Sequence, residues 1–106
     1  MREITPQQLK TYLQVADPAP LLLDVREPWE YEICHIEGAK LMPMQQIPQT
    51  FKALDPQQEI VVICHHGRRS LQVAGYLERM GFTRLINLTG GVDAWAHDVD
   101  RSMPTY

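Results

Sequence analysis

The sequence predicts an α/β domain in which a mostly parallel sheet is sandwiched between helices. Two observations carry this prediction. Short apolar runs alternate with helix-like segments along the whole chain. Those runs also lack the polar alternation of a half-exposed strand, so they suit strands covered on both faces. A third feature points to function: the polar loop "ICHHGRRS" stands at the carboxyl end of the most convincing strand. In sheets of this kind, ligands bind beyond that end.

The elements follow in order. In "TPQQ", Thr5 reads as an N-cap, Pro6 as the first helical residue and Gln8 as the partner closing a capping box. This helix is expected to run to about Val15, where "DPAP" breaks it. "LLLDV" (21–25) is a buried strand, "EPWEYE" one or two helical turns, and 39–42 another short strand. "IPQTFKAL" is a modest helix ended by "DPQQ", and "EIVVI" (59–63) is the β-branched strand that leads into the loop. Residues 70–80 are expected to be helical, with Leu71, Ala74, Leu77 and Met80 on one side and Gly81 just past the end. "RLINL" (84–88) is a further strand, and Gly90-Gly91 turn into a last short helix at "VDAW". With 106 residues, 44% of them apolar, the chain is expected to form one domain over 1–106, with 98–106 a loosely held tail.

A net charge of −3 gives no global attraction for nucleic acid or an anionic membrane, so anion recognition has to be local. The short basic patch 65–69 lacks interleaved aromatics and does not suggest nucleic-acid binding. No apolar run approaches the roughly 18 residues of a membrane span, and the start lacks the apolar core of a signal peptide. With two cysteines, Cys34 and Cys64, and no disulfide framework, a reducing cytoplasm is the expected setting.

The loop's chemistry follows from its residue types. A helix N-terminus carries unpaired N–H groups and partial positive charge. Gly67 permits dihedrals that other residues resist, so several N–H groups can converge on one spot. A Cys64 sulfur at that spot, near Arg68 and Arg69, is expected to be a nucleophile, and a persulfide anion would be stabilised by the same cradle. The plain alternative is an inert buried cysteine at a strand end. His65 and His66 are either solvated loop residues or contacts for an anionic substrate, and Arg69 is either part of the anion site or half of a structural ion pair. If a histidine meets the anion, apparent affinity should fall as pH rises through about 6 to 8.

Cys64-x-x-Gly67-x-Arg69-Ser70 resembles the active-site loop of the rhodanese-like sulfurtransferases. Two further segments resemble the family's signatures. Upstream, Asp24, Val25, Arg26, Glu30, Tyr31, His35, Ile36, Gly38, Ala39 and Pro43 match; downstream, Gly90, Gly91 and Trp95 match within "LTGGVDAW". The resemblance implies a five-stranded, mainly parallel sheet with helices on both faces. It implies a ping-pong reaction in which Cys64 takes the outer sulfur of a donor such as thiosulfate and passes it to cyanide, a thiol or a protein. It implies that Arg69 pairs with Asp24 or Glu30 and that Asp24, Arg26 and Glu30 support the loop. His65, His66, Gly67, Arg68, Arg69 and Ser70 would form the loop and its anion site. No cofactor or metal is expected, and the protein should be a monomer or weak dimer acting on a small anionic sulfur donor. Cys34 stands where the family often has glycine, and is read as structural.

Three rival functions remain. A non-catalytic rhodanese-like module would share the fold. A cysteine phosphatase or arsenate reductase would need a C-x5-R loop, whereas four residues separate Cys64 from Arg69 here. A zinc site from Cys34-His35 and Cys64-His65-His66 would lack the usual paired ligand spacing.

Overall fold

The computed structural model describes residues 1–106. Five strands, β1 (Arg2–Ile4), β2 (Leu21–Asp24), β3 (Lys40–Leu41), β4 (Ile60–Ile63) and β5 (Leu85–Leu88), form one sheet in the order β1-β5-β4-β2-β3. Every pairing is parallel. The helices are α1 (Pro6–Val15), α2 (Pro28–Ile33), α3 (Ile47–Thr50), α4 (Arg68–Arg79) and α5 (Gly91–Asp98), with 3₁₀ turns on either side of α3.

The central strands β4 and β5 are buried throughout, as their unbroken apolar runs require. Alternate residues feed two cores. Leu23, Ile60, Val62 and Cys64 pack with Ile47 and with Val73, Ala74 and Leu77 of α4. Leu22, Val61, Ile63, Ile86 and Leu88 pack with Leu9 of α1, Val92 and Trp95 of α5, and Cys34. Cys64 and Cys34 therefore belong to cores on opposite faces of the sheet.

The capping box forms: the Gln8 N–H donates to Thr5 Oγ1 at 3.2 Å and the Thr5 N–H to Gln8 Oε1 at 2.9 Å. Strand β1 was not expected as an individual element. It is three residues long, buries only Ile4, and offers no periodicity to read; it forms because its backbone pairs with β5 through Ile4↔Leu88. The apolar side of α4 also differs from expectation. Ser70, Val73, Ala74 and Leu77 are buried, whereas Leu71 and Met80 are each 43% exposed. The buried set still follows the i, i+3, i+4, i+7 spacing, but it begins on a serine that the site below draws inward. In the 98–106 segment, α5 runs to Asp98, and Tyr106 packs against the site.

Candidate active site

Strands β2 and β4 lie side by side with Asp24 in register with Ile63. The segment after β2 and the loop after β4 therefore leave the sheet together, and the Val25 N–H donates to the Ile63 carbonyl at 2.9 Å. This juxtaposition brings two distant parts of the sequence to one spot.

Cys64 is 1% exposed and begins the loop. The Gly67 N–H donates to its Sγ at 3.0 Å. Gly67 sits at φ +95°, in the left-handed region that favours glycine, and serves as the N-cap of α4. A Cβ there would also lie 3.0 Å from the Gly90 nitrogen. On the other side of the loop, the Val92 N–H donates to the Cys64 carbonyl at 2.8 Å and the Asp93 N–H to the His65 carbonyl at 3.0 Å. A Cβ on Gly91 would stand 2.3 Å from the Cys64 carbonyl oxygen, so no side chain fits there. The start of α5 thus ties down the Cys64 and His65 carbonyls, and the Gly67 N–H is the loop amide that reaches the sulfur.

Behind Cys64 runs a buried polar chain. The Cys64 thiol lies 3.3 Å from Ser70 Oγ, and Ser70 donates to Asn87 Oδ1 at 2.5 Å. Asn87 Nδ2 faces two acceptors, the Gly67 carbonyl at 3.3 Å and a Glu3 carboxylate oxygen at 3.2 Å. Those acceptors fix which end of the amide faces Ser70, so Ser70 is left to accept from the thiol. Asn87 was not among the expected site residues. Its signal in the sequence was a polar side chain inside the apolar run "RLINL", which needs partners when buried.

A second network holds the loop from the β2 side. Arg69 makes a two-pronged ion pair with Glu30, Nη1 to Oε1 at 2.7 Å and Nη2 to Oε2 at 2.8 Å. Of the two carboxylates considered, Glu30 is therefore the partner, and Asp24 instead receives the fork of Arg26. The Arg69 bonds, assisted by the Glu27 N–H and Tyr106, outweigh burial and hold the Glu30 carboxyl at about 2. Arg26 is fully buried, and its Nη2 also donates to the Cys34 carbonyl at 2.7 Å. Cys34 is buried among apolar side chains and contributes through its backbone.

Three loop residues differ in their surroundings. Arg68 is exposed and does not join the Gly67 amide at the sulfur. His66 is exposed, with its ring 3.9 Å from an Asp93 carboxylate oxygen. His65 is half-buried. Its ring stacks on Tyr106 at 3.9 Å between centroids, its Nε2 is buried without a partner, and burial, then the charge of His66, pushes its pKa down. A neutral ring results at neutral pH. Tyr106 is a site residue for which the sequence carries no signal.

The comparisons with known proteins agree with this geometry. The model of the rhodanese-like domain matches residues 5–98. The chain is 38% identical to the rhodanese-like/PpiC domain-containing protein 12 of Arabidopsis thaliana over 100% of its own length, but it spans only 38% of that longer relative. It is 31% identical to the thiosulfate sulfurtransferase GlpE of Tolumonas auensis, covering 89% of this chain and 87% of the relative. Among solved structures, a rhodanese-like domain protein from Staphylococcus aureus superposes with a TM-score of 0.85 at 32% identity, over 100% of this chain and 99% of that one. A matching loop, a matching five-stranded parallel sheet and a family model spanning most of its length place this chain in the rhodanese-like domain family.

Proposed function

We propose that this protein is a sulfurtransferase that carries a sulfane sulfur on Cys64. The observation that supports this most is the setting of Sγ: it stands just beyond β4 and meets the Gly67 N–H at 3.0 Å, in a loop leading into the N-terminus of a twelve-residue helix. The Cys64 thiolate attacks the outer sulfur of thiosulfate. A new S–S bond forms, the donor's S–S bond breaks, and its electron pair leaves with sulfite. The added sulfur stands about 2 Å beyond Sγ. Residues 68–71 open α4, and their N–H groups have no carbonyl partner within the helix, so they suit an anion held there. In the second half-reaction, cyanide, a thiol or a protein thiolate attacks the outer sulfur and the Cys64 thiolate departs. Both cysteines are free, which accords with a reducing, cytoplasmic setting.

Arg69 is turned to Glu30, so we assign it to loop support, with donor binding left to backbone N–H groups and to the exposed Arg68. The test is mass spectrometry after thiosulfate treatment. A gain of about 32 Da on Cys64, removed by cyanide, is the expected result. An unmodified Cys64 under conditions where a thiosulfate sulfurtransferase control is loaded overturns the reading and leaves a binding module.

A further inference from the structure

Tyr106 lies outside residues 5–98, the part of the chain that the family model matches. Its hydroxyl nevertheless sits between the two charged groups that hold the loop. It donates to Glu30 Oε2 at 2.8 Å and accepts from Arg26 Nη1 at 2.8 Å.

Counting donors and acceptors shows what this hydroxyl does. A guanidinium has five N–H groups and a carboxylate about four acceptor sites. The Arg26 Nε donates to Asp24, Nη2 to Asp24 and the Cys34 carbonyl, and Nη1 to the Glu30 carbonyl and Tyr106. The Glu30 carboxylate accepts from the Glu27 N–H, from both Arg69 nitrogens and from Tyr106. Both buried ions are complete only with Tyr106 in place. Burial, opposed by Arg26 and assisted by Glu30, pushes the phenol up to about 12, so it stays protonated and can donate and accept together. The ring stacks on His65 with an interplanar angle of 6°, which locates the hydroxyl relative to the loop.

We propose that Tyr106 is a positioning residue for the Cys64 loop: its hydroxyl completes Glu30 and Arg26, and so fixes the Glu30–Arg69 clamp on which the loop's shape depends. Its effect on sulfur uptake rests on the sulfurtransferase reading; its effect on the clamp does not. The substitution Tyr106→Phe removes the hydroxyl and keeps a ring on His65, so it separates the two contacts.

Two measurements decide the matter. The first is the Glu30 carboxyl titration, followed by carbon NMR in the intact protein. Its midpoint should rise by about one pH unit in Tyr106→Phe, because a donor to the charged form is lost. An unmoved midpoint overturns the proposal whatever the protein's activity. The second is the rate of the 32 Da gain on Cys64 with thiosulfate. Tyr106→Phe should lower it roughly tenfold, in line with losing a hydrogen bond to a charged group. In a Glu30→Gln background, and separately in Arg69→Lys, the same change should add no more than about twofold, since the residues act as one unit. Fully multiplicative losses would overturn the claim that Tyr106 works through the clamp. A wild-type protein that takes up no sulfur would sink the sulfurtransferase reading alone, and the titration would still decide the role of Tyr106.

Discussion

The two cysteines are nearly equal in burial, at 1% exposure for Cys64 and 7% for Cys34, and neither is in a disulfide. They differ in what surrounds them. Cys64 Sγ receives an N–H and faces a hydroxyl backed by Asn87. Cys34 caps a six-residue helix, packs its side chain among apolar groups on the other face of the sheet, and offers only its carbonyl to Arg26. Burial alone therefore says nothing about reactivity. Under the proposed function, the polar groups aimed at the sulfur make the difference.

The largest expected effect breaks this comparison at its centre. Cys64→Ser should lower sulfur transfer by at least about a thousandfold, because a hydroxyl cannot take the place of the sulfur carrier. Cys34→Ser should stay within about twofold of wild type in transfer while losing roughly 1–2 kcal/mol of stability from a hydroxyl placed in an apolar cluster. Steady-state assays and urea melts of both variants check this. Loss of transfer in a folded Cys34→Ser would mean that the second cysteine takes part.

Removing the support of Cys64 comes next. Arg69→Ala leaves the Glu30 carboxylate buried and unpaired. It should cost about 3 kcal/mol, the lower end for breaking a buried pair, since the Arg69 side chain is 36% exposed. Arg69→Lys loses the two-pronged geometry and should already slow sulfur transfer. An unchanged melting temperature with only a raised KM would make Arg69 a substrate ligand instead.

The same pair sets an acid limit on stability. The Glu30 carboxyl lies at about 2 in the fold, against an ordinary 4.5. A depressed carboxyl contributes stability that is fully present above its unfolded value and is lost as pH falls toward its folded value. Stability should therefore drop by roughly 3 kcal/mol between about pH 5 and pH 2 on account of Glu30. Glu30→Gln should flatten that part of a pH-dependent urea series. A Glu30→Gln curve parallel to wild type would contradict the assignment.

The smallest effect concerns the chain behind the sulfur. Ser70→Ala removes the hydroxyl facing Cys64 and leaves Asn87 Oδ1 without its donor, which should cost about 1–2 kcal/mol of stability. If only stability falls, the Ser70–Asn87 pair braces the loop without influencing Cys64.

Much of this was legible in the sequence, for local reasons. The strands β2, β4 and β5 announced themselves as apolar runs, the first helix through its capping residues, and the loop through a glycine between a cysteine and a helix start. Those signals depend on neighbours within a few positions. Gly67 as the left-handed turn and an ion pair at Arg69 followed from residue type and from the family resemblance, and the proposal that Cys64 reacts rests on the same two sources. Tertiary structure decided what depends on distant segments meeting. It paired β1 with β5, chose Glu30 over Asp24 for Arg69, and drew Ser70 inward to Asn87. It stacked Tyr106 on His65, where partial burial pushes that histidine's pKa down. These outcomes turn on which side chains converge at the carboxyl end of the sheet. A period of two or of 3.6 fixes the face a residue occupies, and only the strand order fixes what waits there.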